Sequence, residues 1–297
     1  MIEFIQTSDF SESQRLFHGR GHAYENLAHV NVDWFEPVIL ITLYQEVDAD
    51  WLAEQVKQLR TLTDKCRSIQ VQYRCRKFAP CELLWGDEIT NLHALEHGLK
   101  YHISLGKAQN SGLFLDMANG REWVKNHSDN KRVLNLFAYT CAFSVAALAG
   151  NASKVVNVDM SKSSLAKGRE NHRLNQQDLS KVIFEGVDIF KSYGRLKKHG
   201  PYQLLVSDPP SFQKGSVDIA RDYKKIIRRL PELMSDNGEV LLCLNSPDLN
   251  EEFLLAEVAR ECPECVFQYQ LETASVFKEA HQGKGLKCLY FIYKPNA

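Results

Sequence analysis

This chain lacks any apolar run long enough to cross a bilayer, where about 20 largely apolar residues are needed. Its first residues, Met1-Ile2-Glu3-Phe4, have no basic region leading into an apolar segment. No signal peptide and no membrane partner are therefore expected, and the cytoplasm is the expected location. Neither sign of charge dominates: 36 Lys and Arg stand against 37 Asp and Glu, a formal net charge of −1. That balance argues against tight nucleic-acid binding driven by overall charge, while leaving room for a local basic face. Arg15, Arg20, Arg60, Lys65, Arg67, Arg74, Arg76 and Lys77 gather cations toward the start of the chain. Eight cysteines are scattered, and Cys262-Pro263-Glu264-Cys265 has no second pair or His pair nearby to complete four zinc ligands. Reduced thiols and no metal site are expected. A Gly-x-Gly-x-x-Gly loop is also missing, and with it the usual pyrophosphate cradle.

What is present suggests two domains in 297 residues, 44% of them hydrophobic. Residues 37–44 and 68–74 read as strands, 50–60 as a helix, and 99–103 as a half-buried strand. Together they suggest a small α+β domain over residues 1–104. From 105 to 297 the rhythm becomes strand-helix alternation, with strands at 133–137, 155–159, 182–187, 204–207 and 239–244. Helices are expected at 142–149, 163–174, 219–233 and 251–260. Two final strands, 266–271 and 286–293, have no helix between them. This is the pattern of an α/β fold with a doubly wound, mostly parallel seven-stranded sheet ending in an antiparallel hairpin. His281 and the turn Gly283-Lys284-Gly285 read as that hairpin's tip.

The most telling segment is Asp208-Pro209-Pro210-Ser211, followed by Phe212 and preceded by the apolar run Leu204-Leu205-Val206. An acid, two prolines and an aromatic make a stiff lip at the strand-end edge where open α/β sheets bind ligands. Proline fixes φ and has no N–H, so ladder bonds do not use all the carbonyls of Asp208 and Pro209. Those carbonyls and the carboxylate can accept from a planar amine, and Phe212 offers a face to a base. An ordinary strand-to-loop turn is the bland alternative.

Acids recur at strand ends: Asp159, Asp188 and Asp208. Asp159 is placed to accept from ribose hydroxyls, and Asp188 would meet an adenine amine with Ile189 against the ring. The turn after the first strand, Phe137-Ala138-Tyr139-Thr140-Cys141-Ala142-Phe143, contains no glycine. Its small residues still admit an uncharged adenosine or methionyl group, which points to S-adenosylmethionine. Taken singly, each acid also reads as a helix cap or turn residue.

From about residue 99 to 295 the chain resembles class I S-adenosylmethionine-dependent methyltransferases. Within them it is similar to the bacterial 23S rRNA cytosine-C5 and guanine-N7 enzymes. The resemblance is carried by Ser111-Gly112-Leu113-Phe114-Leu115-Asp116, Asn135-Leu136-Phe137-Ala138-Tyr139-Thr140, Val158-Asp159-Met160-Ser161 and Ser207-Asp208-Pro209-Pro210-Ser211-Phe212. It implies a Rossmann-like fold that binds S-adenosylmethionine. Phe137, Tyr139 and Thr140 would line the methionine part, Asp159 the ribose, and Asp188 and Ile189 the adenine, with Met160 and Asp208 also at the cofactor. Arg121 would hold the cofactor carboxylate, although relatives carry arginine where this chain has Ala118. Asp208, Pro209, Pro210, Phe212 and Asn245 would receive the base.

The resemblance also frames the substrate question. Cytosine-C5 methylation needs a thiolate to add to the ring, and C5-type relatives place it after the fifth strand, where this chain has Asn245. Cys243 lies two residues earlier, within the apolar run. The expected reaction is methylation of a base nitrogen in RNA, most simply ribosomal RNA, with the base single-stranded or flipped out. Cytosine-C5 transfer through Cys243, a small-molecule methyltransferase and a non-catalytic RNA-binding protein remain open. The segment Arg15-Leu16-Phe17-His18-Gly19-Arg20-Gly21-His22 is a candidate RNA contact with flexible glycines, or a plain ordered loop.

Overall fold

Apolar runs that stop at polar residues dictate the two large sheets of the molecule. The computed structural model describes residues 1–7, 9–106, 109–210, 212–213, 217–281 and 283–295, with only the backbone of 212, 213 and 217. The chain divides into two compact units: Met1–Ala118 with Ala274–Gln282, and Asn119–Thr273 with Gly283–Ala297.

In the first unit, β1 (Gln14–His18), β2 (Val30–Phe35), β3 (Val38–Leu43), β4 (Ser68–Tyr73) and β5 (Cys81–Gly86) form one sheet in that order. The pair β3 and β4 is parallel, joined by helix α1 (Ala49–Leu59); the other pairs are antiparallel. Asp48 caps α1 by accepting from the Asp50 and Trp51 N–H groups. The central strands β2, β3 and β4 are buried along their whole length. A separate hairpin, β6 (Asn91–Glu96) with β7 (Leu99–Ser104), follows.

The sequence reading drew one boundary, after residue 104; backbone hydrogen bonds tie two further segments to the first unit. The Ser104 N–H donates to the Ser111 carbonyl (2.9 Å) and the Ala280 N–H to the Gly21 carbonyl (2.7 Å). Residues 274–281 are thus not a simple hairpin tip.

The segment Arg15 to His22 is likewise more built than expected. It comprises β1 and a short 3-10 turn, and Arg15 pairs with Asp33 on the neighbouring strand. A Cβ on Gly19 or Gly21 would stand 1.9 Å from a backbone oxygen, so these glycines serve close packing rather than flexibility.

The second unit opens with α2 (Ala118–Asn126) and continues β8 (Arg132–Leu136), α3 (Ala142–Ala149), β9 (Lys154–Val158), α4 (Lys162–Leu174), β10 (Val182–Glu185), α5 (Tyr193–Lys197) and β11 (Tyr202–Ser207). A two-residue pair, β12 (Phe212–Gln213) and β13 (Val217–Asp218), precedes α6 (Ile219–Ile227) and α7 (Leu230–Leu233). Then come β14 (Met234–Leu244), α8 (Glu251–Glu261), β15 (Cys265–Leu271) and β16 (Lys287–Tyr293).

The expected single helix over 219–233 is two helices. Pro231 starts the second one, because its ring and missing N–H suit a first turn and not a helix interior. The sheet order is β10-β9-β8-β11-β14-β16-β15. Five strands are parallel, and β16 runs antiparallel between β14 and β15. This is the expected doubly wound, seven-stranded α/β architecture with its closing hairpin.

Candidate cofactor and substrate site

Strand order reverses between β8 and β11, since β8 leads outward to β9 and β10 while β11 leads to β14. At such a switch point the following loops diverge and leave a crevice at the carboxyl edge. Register places the sequence candidates along this edge. Leu136 pairs with both Val158 and Ser207, and Ser207 pairs with Leu242. Phe137, Asp159 and Asp208 therefore each follow the last paired residue of three adjacent strands. Asp188 lies two residues beyond Gly186, the corresponding position after β10, and Asn245 follows the last residue of β14.

The turn after β8 is strained. Phe137, Tyr139 and Cys141 have φ of 56°, 46° and 59°, left-handed values at three non-glycine residues. Each such residue costs about 1–2 kcal/mol and persists only where its surroundings fix it. Those surroundings are clear. The Ala138 N–H donates to the Val158 carbonyl (3.0 Å), and the Asn171 side chain donates to the Thr140 carbonyl (2.9 Å). Gly168 on α4 lets that helix close on the turn, because a Cβ there would meet Cys141 Sγ at 2.3 Å. Burial pushes the Cys141 thiol well above its ordinary range, so it is a packing group.

Asp159 links this turn to the next strand. One carboxylate oxygen accepts from the Tyr139 N–H (2.8 Å) and the other from the Ser161 N–H (2.7 Å). Each oxygen keeps a second acceptor site, so two hydroxyls can still be received. Burial and the Asp159 charge raise the Tyr139 phenol above its ordinary range. Met160 is exposed and Ile189 buried. Asp188 caps a short 3-10 turn through the Phe190 N–H (2.9 Å) and pairs with Lys191 at 3.4 Å.

On the other side of the switch point, Asp208 is half-buried, Pro209 buried and Pro210 exposed. Ser211 and the Phe212 side chain lie outside the described residues. Two groups that sequence reasoning passed over hold this side in place. Tyr223 on α6 is fully buried, and its hydroxyl donates toward the Ser207 carbonyl (3.3 Å) and the Cys243 carbonyl (2.9 Å). It thereby ties the ends of β11 and β14 together beneath Asp208 and Asn245. Lys287, 1% exposed, donates to the carbonyls of Ser246, Leu249 and Gly283 at 2.7–2.8 Å and fixes the loop after β14. Signals existed for both: Tyr223 shares a helical face with Ile219, Ile226 and Ile227, and Lys287 opens an otherwise apolar strand.

Cys243 is fully buried within the β14 ladder opposite Cys288. Arg121 is 3% exposed on the first turns of α2. The helix start is tied to the carboxyl edge by Asn119, which donates to the Glu272 carbonyl (2.8 Å) just past β15. All eight cysteines are free thiols, and no metal-binding cluster occurs among the described residues. No described helix is long and apolar enough to cross a membrane.

The sequence profile of the S-adenosylmethionine-dependent methyltransferase family matches residues 14–292. The chain belongs to that family. It is 30% identical over 249 residues to the ribosomal RNA large subunit methyltransferase I of Escherichia coli K12, covering 80% of this chain. This chain spans 62% of that relative's length. The crystal structure of SMU.776, assigned as a methyltransferase and complexed with SAH, superposes with a TM-score of 0.86. The two are 25% identical over 98% of this chain and 80% of that one. The Methanocaldococcus jannaschii tRNA m1G37 methyltransferase shares the fold at 17% identity, with a TM-score of 0.63 over 89% of this chain and 75% of that one.

The residues present fit the family's cofactor. A glycine-free, left-handed turn offers no diphosphate cradle, while the fixed Asp159 carboxylate suits a ribose. The Ser207 hydroxyl is fully buried with no partner among the described residues, as expected of a group beside a ligand crevice.

Proposed function

We propose that this methyltransferase modifies a base nitrogen in RNA, in particular ribosomal RNA, and works in the cytoplasm. The observation that carries the nitrogen is the place of the thiol. Cys243 sits inside the β14 ladder, while the residue that emerges from the strand end is Asn245. A C5 reaction needs a thiolate free to add to the ring; a nitrogen needs only its lone pair aligned with the methyl. RNA as substrate is supported by the identity with the E. coli ribosomal RNA enzyme.

Bound S-adenosylmethionine supplies an electrophilic methyl carbon. The protein's part is to receive, orient and desolvate. Asp159 would hold the ribose, Asp188 with Ile189 the adenine, Phe137, Tyr139 and Thr140 the methionine part, and Arg121 its carboxylate. The Asp208 carboxylate and Pro209 carbonyl would accept from base N–H groups, and Asn245 would read the base edge. A base within a helix cannot reach this crevice, so the substrate is single-stranded or flipped.

The test is transfer of labelled methyl to ribosomal subunits from a strain lacking the protein. Label should enter RNA with the wild type and fall about 100-fold or more in Asp208→Ala. Cys243→Ser should stay within a few-fold of wild type. Complete loss in Cys243→Ser with cofactor binding retained would instead point to cytosine C5. Transfer to small molecules without RNA would replace the RNA reading.

A further inference from the structure

The most exposed large apolar side chain among the described residues is Phe78, at 87%; the next, Met160, is 52% exposed. Phe78 sits at the tip of the hairpin joining β4 and β5, with φ of 68°, and Ala79 beside it has φ of 47°. Two consecutive left-handed residues without glycine are strained, and a bare phenylalanine in water adds an unfavourable hydrophobic term. The tip is nevertheless closed by hydrogen bonds. Tyr73 N–H donates to the Pro80 carbonyl (2.9 Å), Arg76 N–H to that of Tyr73 (3.1 Å), and Ala79 N–H to that of Arg76 (3.1 Å).

One cation lies at the ring, and others lie on the hairpin that carries it. The Lys77 ammonium lies 4.9 Å from the Phe78 ring centroid. Arg74 is held by neutral acceptors, the Gln109 carbonyl (2.8 Å) and Asn110 Oδ1 (3.3 Å). Arg74 and Arg20 both approach the Tyr44 ring, at 5.9 and 4.4 Å. Arg76 is locked between Glu46 and Glu82, so it stiffens the tip instead of adding free charge.

We propose that this tip is a docking platform for single-stranded RNA, on which an unstacked base lies against Phe78 while Lys77 and Arg74 meet the flanking phosphates. A protein interface would bring an apolar patch of several hundred Å², depleted in lysine. One presented aromatic with a lysine at its side and an arginine on the same hairpin is instead the pattern of base stacking with backbone neutralisation. The platform rests on RNA being the substrate and names a place on the first unit where that RNA is held.

The test is fluorescence anisotropy with a labelled single-stranded RNA 12-mer, paired with methyl transfer to ribosomal subunits. Phe78→Ala should bind the oligonucleotide about 5- to 100-fold more weakly, and Phe78→Trp should bind like the wild type. Lys77→Gln should reduce the slope of log affinity against log salt by about 0.7. Unchanged oligonucleotide affinity in Phe78→Ala, with the wild type still methylating RNA, would overturn the platform alone. A wild type that neither binds nor methylates RNA would overturn it together with the RNA reading. Altered self-association of Phe78→Ala on gel filtration, with RNA affinity unchanged, would reassign the tip as a protein contact.

Discussion

Two strained turns in this molecule are used in opposite ways. The turn after β8 places left-handed Phe137, Tyr139 and Cys141 under Asp159, Asn171 and the close approach of Gly168. The tip between β4 and β5 holds left-handed Phe78 and Ala79 with backbone bonds, Ala79 buried and the Phe78 ring in open solvent. In the first, packing and side-chain hydrogen bonds fix the strain and hold a carboxylate where a ligand can reach it. In the second, strain aims one ring outward. Bracing therefore distinguishes the proposed reacting edge, which must not move, from a surface that only has to present a side chain.

The bracing of the sheet edge should be easiest to break at Lys287. Lys287→Met would leave one buried and two part-buried carbonyls without their donor, lowering stability by about 3 kcal/mol in denaturant titration. Acid should loosen the same unit through His172. A directional chain runs from Asn135 Nδ2 to Asn157, from Asn157 to Ser144, from Ser144 to His172 Nε2, and from His172 Nδ1 to Gln177. It requires a neutral imidazole. Burial, opposed by the Gln177 bond and aided by nearby Arg169, lowers the His172 pKa to about 4. The unfolded histidine takes a proton below about pH 6.5 while the folded one does not. Stability is thus fully present above pH 6.5 and falls as pH drops toward 4, by up to about 3 kcal/mol. Half-buried His18, lowered to about 3 by desolvation and by nearby Arg15 and Arg20, acts in the same direction in the first unit. Urea titrations at several pH values would check this, and His172→Gln should flatten part of the slope.

A smaller effect is expected at Gly168. Gly168→Val forces α4 off the turn, costing about 1–3 kcal/mol, and should weaken cofactor binding about 10-fold or more by calorimetry. The smallest effect has the opposite sign. Phe78→Gly relieves a left-handed residue, partly offset by the entropy of glycine, so its melting temperature should be equal to or slightly above wild type. A drop of several degrees would mean that the tip braces the fold, contrary to the contrast drawn here.

The carboxyl edge was legible because parallel strands buried on both faces read as apolar runs, and each run stops where a polar residue takes over. Asp159 and Asp208 stood out for that reason, whereas Asn245 came only through the family resemblance. The first unit was harder to read. Strand β5 is largely half-exposed, and β6 alternates with only Leu92 and Ala94 as its buried pair of small or apolar residues before Glu96. Helix α2 begins Ala118-Asn119-Gly120, a poor helical start, and is secured by tertiary contacts such as Trp123 Nε1 donating to the Tyr269 hydroxyl (3.0 Å). The buried chain through Asn157, Ser144 and His172 joins residues from separate elements, so no local spacing announces it. Gly168 reads as an ordinary weak point in a helix until its neighbour Cys141 is seen.

The central claim is methyl transfer to a base nitrogen at the edge between β8, β11 and β14. Its most direct test is mass spectrometry of nucleosides from ribosomal RNA after reaction with wild-type protein, RNA from the deletion strain serving as acceptor. The account predicts one nitrogen-methylated nucleoside, absent with Asp208→Ala and retained with Cys243→Ser. A product of 5-methylcytosine, lost in Cys243→Ser, would contradict it.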